Sequence, residues 1–416
     1  MDIKVADTAY PHRLGQAVVT ALDAAGQPLA ETELVVAQTS HDFLFGNIAF
    51  DLTRLANGQG EDPMSATEET AALWLDLYNF ATLPFYWRSF EPVEGQAATT
   101  RLQTAARWLA ERGVKAKGHP LAWHTEAPRW LLGRPLGQVE QALRRRIRRE
   151  AAAFAGLADI WDVVNEAVIM PVFTAEDNAI TPLCRALGRL PLIRLAFEEA
   201  RAANPDAVLL LNDFDLTTAY ECLIEGVLEM GLQVDALGLQ THMHQGYWGE
   251  EATLAVLDRF ARYGLPLHLT ENSLLSGDLM PPEISDLNDW QPARWPSTPE
   301  GEARQADEMV RHYRCLVGCP AVASVTYWGL SDKDAWLGAP VGLLRADGSR
   351  KPAYDALRRL IKQDWWVSPS RLRTDAAGRF RLTGFAGGYE LSRPDGKAKT
   401  AFHLAAGPGS VAVSLA

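Results

Sequence analysis

The chain has 416 residues, 47% hydrophobic and 22% charged, with a formal net charge of −12. That is the composition of a folded globular protein, long enough for one large domain with appendages. The negative balance argues against a nucleic-acid partner and against an acidic polysaccharide, and neutral glycans suit it better. No stretch approaches the roughly 18 apolar residues of a membrane span, so no membrane is expected as a partner. The start, Met1-Asp-Ile-Lys, carries no basic segment followed by an apolar run. As it stands the sequence reads as cytoplasmic, or as secreted if a signal segment has been removed.

Residues 3–40 alternate apolar and polar side chains around the turn Ala24-Ala-Gly-Gln-Pro28, so residues 1–40 read as a small β extension. From Phe43 onward strands and helices alternate. Strands are expected near 43–47, 79–83, 114–119, 159–164, 207–212, 235–240, 266–270 and 323–328, with helices such as 138–154, 190–203 and 302–317 between them. A parallel strand requires a crossover, and the helix supplies it. Eight such units, about 250 residues at minimum, predict a (β/α)8 TIM barrel over 41–366. The run Arg144-Arg-Arg-Ile-Arg-Arg149 falls on one of these helices and reads as a solvated face.

Residues 276–300, with Pro281, Pro282, Pro292 and Pro296, form a long loop after strand 7 that should lie over the barrel's C-terminal face. The last stretch, 367–416, is rich in Gly, Ser and Pro with short alternating runs and reads as a small C-terminal β module. The Cys315-x3-Cys319 pair lacks two further ligands in a recognisable zinc spacing, so neither metal nor cofactor is expected.

The chemistry gathers at the ends of the expected strands. Glu166, in Trp161-Asp-Val-Val-Asn165-Glu166-Ala167, and Glu271, in His268-Leu-Thr-Glu271, each close a short apolar run. Acetal cleavage at a sugar needs two such carboxyls: one protonates the leaving oxygen, and the other attacks or activates water on the opposite face. Neighbouring strand ends add Gly118-His119-Pro-Leu-Ala-Trp123-His124, Asn212-Asp213, Gln240-Thr-His242 and Trp328. Only the C-terminal rim of a barrel collects residues from all its strands. An alternative from a different class is a metal-dependent barrel hydrolase using His242, His244, His119 and His124, which would need several ligands converging on one ion. A non-catalytic glycan-binding barrel would be expected to lack one of the two glutamates.

The ordered motifs GHPLAWH, WDVVNEA, LND, LGLQTH, LTE and YWGLSDKDAW resemble the family-10 glycoside hydrolases, the xylanase family, over residues 43–362. The resemblance implies a retaining, cofactor-free hydrolase of β-linked oligosaccharide or polysaccharide, endo-β-1,4-xylanase-like, with Glu166 as general acid/base and Glu271 as nucleophile. Their carboxyl groups should then lie about 5–5.5 Å apart. Asn165 would bond the sugar 2-hydroxyl, and Asp162 with His242 would form a relay that orients the nucleophile. His119, Trp123 and Gln240 would line the cleavage subsite, with Trp328 and Trp336 as indole walls.

One segment departs from that pattern. Where the family carries E-N-E-M-K-W on strand 2, this chain has Thr82-Leu-Pro-Phe-Tyr86-Trp87. Thr82, Leu83 and Tyr86 replace Glu, Asn and Lys, so polar grips on the glycone give way to apolar and aromatic surface. A non-xylan β-glycan or β-glycoside is therefore the alternative substrate. The family's T-E-L-D-I also becomes Thr270-Glu271-Asn272-Ser273-Leu274.

Overall fold

The computed structural model describes residues 2–415 except Glu61, Pro63 and Asp334; Asp334, within the last motif, lies outside the described residues. By its contacts the chain divides into two compact units. One takes in the chain up to Leu44, Glu302–Pro320 and the chain from Arg350 onward, and the other Phe45–Gly301 with Ala321–Ser349.

In the first unit three N-terminal strands, β1 (Asp2–Lys4), β2 (Leu14–Leu22) and β3 (Glu33–Gln38), precede the barrel strands in sequence. β2 alternates buried and exposed positions along its length, as a strand covered on one face does.

The barrel strands are β4 (Leu44–Ile48), β5 (Phe80–Pro84), β6 (Lys115–His119), β7 (Ile160–Asn165), β8 (Val208–Asp213), β9 (Ala236–Met243), β10 (Leu267–Leu274) and β11 (Val322–Tyr327). They close into a barrel in sequence order, with helices between successive strands. This is the expected (β/α)8 TIM barrel. Five of the six residues of β7 are buried, and all eight of β10. Enclosure on both faces is why these strands read as nearly continuous apolar runs. Observed helices Leu136–Ala153, Arg189–Ala203 and Pro299–Gly318 agree with the expected ones within three residues at each end.

β9 and β10 run three and four residues past their expected ends. Both turn polar before they stop pairing, and a polarity pattern reads that switch as the strand's end. The added length puts Ser273 in register with His242.

The last five strands are β12 (Ser370–Arg373), β13 (Arg379–Phe385), β14 (Gly387–Ser392), β15 (Lys399–Leu404) and β16 (Gly407–Ser414). They share two four-stranded sheets with the N-terminal strands, ordered β1-β13-β2-β16 and β12-β3-β14-β15. β2 thus lies between β13 and β16, and β3 between β12 and β14, so the two ends of the chain are interleaved. No helix among the described residues is long and apolar enough to cross a membrane.

The basic run behaves differently from a simple solvated face. Arg144 and Arg148 pair with Glu199, Arg145 with Glu94, and Arg149 with Glu91 and Glu150. Arg146 is only 1% exposed. It donates to the carbonyls of Phe85, Pro120 and Leu121, beyond the ends of β5 and β6. A guanidinium has five donors in a fixed fork, which suits it to gather several backbone acceptors at one buried point.

Candidate active site

One cleft of about 1610 Å³ is lined by Tyr86, His119, Trp123, Glu166, Gln240, His242, Glu271, Trp328 and Trp336. Nine of the residues singled out from sequence therefore share one surface. Asn165, at 1% exposure, and Asp162, fully buried, lie among the residues behind that surface. Ser285–Asp289, within the long loop after β10, also line the cleft. That loop is tied to the one after β9, where Gln245 Nε2 donates to the carbonyls of Pro281 and Ile284.

Glu166 is the first residue past β7 and has φ +56°, in the left-handed region that non-glycine residues rarely occupy. Such strain persists only where surrounding structure over-determines it, and here the holding contacts are explicit. Glu166 N donates to the Asn212 carbonyl at 2.8 Å. Two residues on, Val168 N donates to Asp213 Oδ2 at 3.0 Å, and Arg189 Nη2 donates to the Val168 carbonyl at 2.6 Å.

The Glu166 side chain is equally constrained. Its Oε1 accepts from Asn165 Nδ2 at 3.2 Å and Gln240 Nε2 at 3.3 Å, and its Oε2 from Trp123 Nε1 at 2.8 Å. Burial raises its pKa from 4.5 to about 8, against the pull of the Trp123 hydrogen bond and with help from the nearby charges of Glu271 and Asp213. Asp213 is itself pushed up to about 7 by burial, although the backbone N–H groups of Val168 and Asp215 draw it down.

Glu271 stands on β10. Its Oε1 accepts from Asn212 Nδ2 at 3.3 Å, and its Oε2 lies 3.1 Å from His242 Nε2. The other ring nitrogen of His242 meets Ser273 Oγ at 3.0 Å. Asn212 also donates to Asn165 Oδ1 at 2.7 Å and accepts from Thr270 Oγ1 at 2.6 Å. An unbroken chain of side chains, Glu166–Asn165–Asn212–Glu271, thus links the two carboxyls. Gly238 permits it, because a Cβ there would lie 2.2 Å from Asn212 Oδ1.

Asp162 and His242, expected together in a relay, reach Glu271 by separate routes. Asp162 Oδ2 accepts from Lys117 Nζ at 2.6 Å and lies 2.7 Å from His119 Nδ1. Burial alone would raise the Asp162 carboxyl, but Lys117 and His119 hold it below its ordinary value. The reason is strand order: β7, which carries Asp162, borders β6, whereas His242 on β9 borders β10. Asp162 therefore approaches Glu271 through His119, whose Nε2 lies 3.9 Å from Glu271 Oε1.

Four contributors went unassigned from sequence: Lys117, Asn212, Asp213 and Ser273. A lysine within a strand ordinarily reads as a solvent-facing residue. The usable signal was its spacing of two from His119, which puts both side chains on one face.

The strand-2 substitutions divide into two groups. Thr82 and Leu83 are fully buried and do not line the cleft, while Pro84 and Tyr86 do. Tyr86 packs 5.6 Å from Phe50 and 5.8 Å from both His119 and Trp123, and Phe50 lies 5.9 Å from Trp328, all as ring centroids. The wall formed there is aromatic. Trp328 is buried, and Trp336, 37% exposed, packs 4.8 Å from the His242 ring at the rim.

The His242 and His244 rings lie 5.8 Å apart, and His244 is buried with its pKa lowered to about 3. Among the described residues no group of three His, Cys, Asp or Glu side chains is arranged to hold a metal ion.

A parallel barrel that sets two carboxyls in one aromatic-walled cleft at its C-terminal rim defines a glycoside-cleaving enzyme. Residues 84–360 match the model of Glycosyl hydrolase family 10, and the chain belongs to that family; it is a glycoside hydrolase. The match begins just beyond Thr82 and Leu83.

Among curated relatives, "Endo-1,4-beta-xylanase 3" of Hypocrea jecorina is 27% identical over 282 residues, covering 65% of this chain and 71% of that protein. "Endo-1,4-beta-xylanase/feruloyl esterase" of Xylanibacter ruminicola is 27% identical over 298 residues, covering 63% of this chain but 39% of that protein. In structure, xylanase 10B from Thermotoga petrophila in complex with xylobiose shares the fold. Its TM-score is 0.61 at 22% identity, covering 77% of this chain and 94% of that one.

Proposed function

We propose that this hydrolase cleaves β-1,4-linked xylan or xylo-oligosaccharides with retention, Glu166 serving as general acid/base and Glu271 as nucleophile. The observation that carries the assignment of roles is the difference between the two environments. Glu166 holds its proton up to about pH 8, the state a general acid needs. Glu271 is oriented by the Asn212 amide and His242. Attack by Glu271 on the anomeric carbon forms a glycosyl-enzyme while Glu166 protonates the departing oxygen. Water, deprotonated by Glu166, then releases the sugar. Asn165 is the candidate donor to the 2-hydroxyl, and His119, Trp123, Gln240, Trp328 and Trp336 the candidate lining around the sugars. The xylanase relatives support the choice of glycan.

A second reading is favoured by the Tyr86–Phe50–Trp328 wall: a β-glycoside whose glycone presents a flatter, less polar face than a xylose pair. Hydrolysis of an aryl β-xylobioside by wild type and by Glu271→Gln separates the cases. Turnover by the wild type alone supports the xylanase reading. An inert but folded wild type moves the assignment to another β-glycoside, and equal turnover by both proteins removes Glu271 as nucleophile.

A further inference from the structure

The family match begins at residue 84, so the first barrel strand and the segment after it lie outside that match. That segment nevertheless lines the cleft. β4 borders β11 on one side and β5 on the other, and Phe50 and Asp51, just past its end, stand between Trp328 after β11 and Tyr86 after β5. Phe50 packs against both of those rings and closes the wall between them. Trp328 in turn packs 5.4 Å from the His119 ring, which is the ring beside Glu271. Phe50 and Asp51 are thus one ring further out from Glu271 than Trp328 is.

Asp51 is half-buried in this lining and holds acceptor capacity that the protein does not use. Its Oδ1 accepts from the Leu52 backbone N–H at 2.9 Å, and among the described residues the carboxylate has no ion pair and no side-chain hydrogen bond. Burial raises its pKa, while the Leu52 N–H and the Lys333 ammonium draw it back down. Lys333 lines the cleft as well. A partly desolvated carboxylate with open lone pairs in a cleft is suited to a ligand that donates hydrogen bonds.

The kind of donor follows from what the second strand offers. Thr82 and Leu83 are buried away from the cleft, and Tyr86 adds a ring. Rings take the C–H face of a sugar, but its hydroxyls still need polar partners once water is displaced. An ionised carboxylate accepts from two neighbouring hydroxyls at once.

We propose that Asp51 binds the second sugar of the glycone, counted from the bond that breaks, by accepting hydrogen bonds from its hydroxyls. The first barrel strand then supplies the polar grip that the second strand lacks, at the edge of the Tyr86–Phe50–Trp328 wall. This rests on the chain being a hydrolase of a β-1,4-linked glycan, with the glycone held on the β11–β4–β5 side. Asp51 is a specificity residue: no hydrogen bond or ion pair joins it to Glu166 or Glu271.

The test varies glycone length at a constant leaving group. Wild type, Asp51→Ala and Asp51→Asn are assayed on 4-nitrophenyl β-xyloside and β-xylobioside, and in parallel on the β-glucoside and β-cellobioside. Wild type should prefer the disaccharide of the pair it cleaves. Asp51→Ala should lose about ten- to hundredfold more kcat/KM on that disaccharide than on its monosaccharide, as expected for hydrogen bonds to a charged group. Asp51→Asn, which keeps one acceptor oxygen, should recover part of the gap. Equal losses on both members of a pair mean a merely structural role and overturn the proposal. So does a wild type that gains nothing from the second sugar. Activity on the gluco pair alone refutes xylan as the glycan, and a selective loss on the cellobioside then still supports Asp51. A folded wild type inert toward all four substrates overturns the proposal together with the reading it rests on.

Discussion

Replacing Glu166 by Gln should stabilise this enzyme while abolishing acid catalysis, and the gain should depend on pH in a defined way. The folded environment moves the carboxyl from an ordinary 4.5 to about 8, chiefly by burial, with the charges of Glu271 and Asp213 adding to the effect. A folded-state pKa above the unfolded one favours the fold fully at low pH and loses that contribution as pH rises. Below about pH 4.5 Glu166 is protonated in both states. Between there and pH 8 the unfolded chain ionises while the fold retains the proton, so wild type loses stability relative to the variant. Above pH 8 the loss is complete. At about 1.4 kcal/mol per pH unit, it comes to on the order of 3–5 kcal/mol. Unfolding entropy of about 2.1 cal/mol/K per residue makes each kcal/mol worth roughly 1 °C in a chain of 416 residues. Scanning calorimetry at pH 4 and pH 9 is the assay. The Tm of Glu166→Gln minus that of wild type should be roughly 3–6 °C more positive at pH 9 than at pH 4. Referring the gain to pH 4 cancels any constant cost of seating an amide among N–H donors. A difference that is flat with pH, or that falls toward pH 9, would refute the claim that Glu166 is held protonated by the fold.

Asp213→Asn removes a charge that helps hold the proton on Glu166, so the basic limb of the kcat/KM–pH profile should move to lower pH from its wild-type position near 8; an unmoved limb would dismiss Asp213 as a contributor. Lys117→Met strands the buried Asp162 carboxylate, an arrangement that costs roughly 3–5 kcal/mol when one partner of a buried pair is removed. Because the folded Asp162 pKa is depressed, denaturation should show that gap at neutral pH and show it closing as the medium falls below the ordinary 3.8. Gly118→Ala would put a Cβ 2.1 Å from Trp161 Cζ3. Overpacking of that kind costs about 1–3 kcal/mol, and the strain next to His119 should lower kcat as well as Tm; an unchanged Tm would mean that the indole has room to move.

The barrel was legible because burial on both faces forces its strands into apolar runs, and because polar residues recur where each run stops. Glu166, Glu271 and their neighbours were legible for the same reason: the C-terminal rim is where strand ends meet. What pairs with what across that rim was not legible. Asp162 and His242 both stand in motifs expected near Glu271, yet neighbouring strands assign one to Lys117 and His119 and the other to Glu271 itself and Ser273. Lys117 carries no local sign of burial, and only closure of the barrel puts it beside a buried carboxylate. The terminal segments read correctly as β structure, but alternation within a strand says nothing about which distant strand completes its ladder, and the interleaving of β2 and β3 among β12–β16 is a long-range pairing. Local sequence thus determined the elements, the rim and the identity of the two carboxyls. Tertiary structure alone decided the protonation of Glu166 and the partners of both, because desolvation and hydrogen bonding depend on groups tens to hundreds of residues apart along the chain.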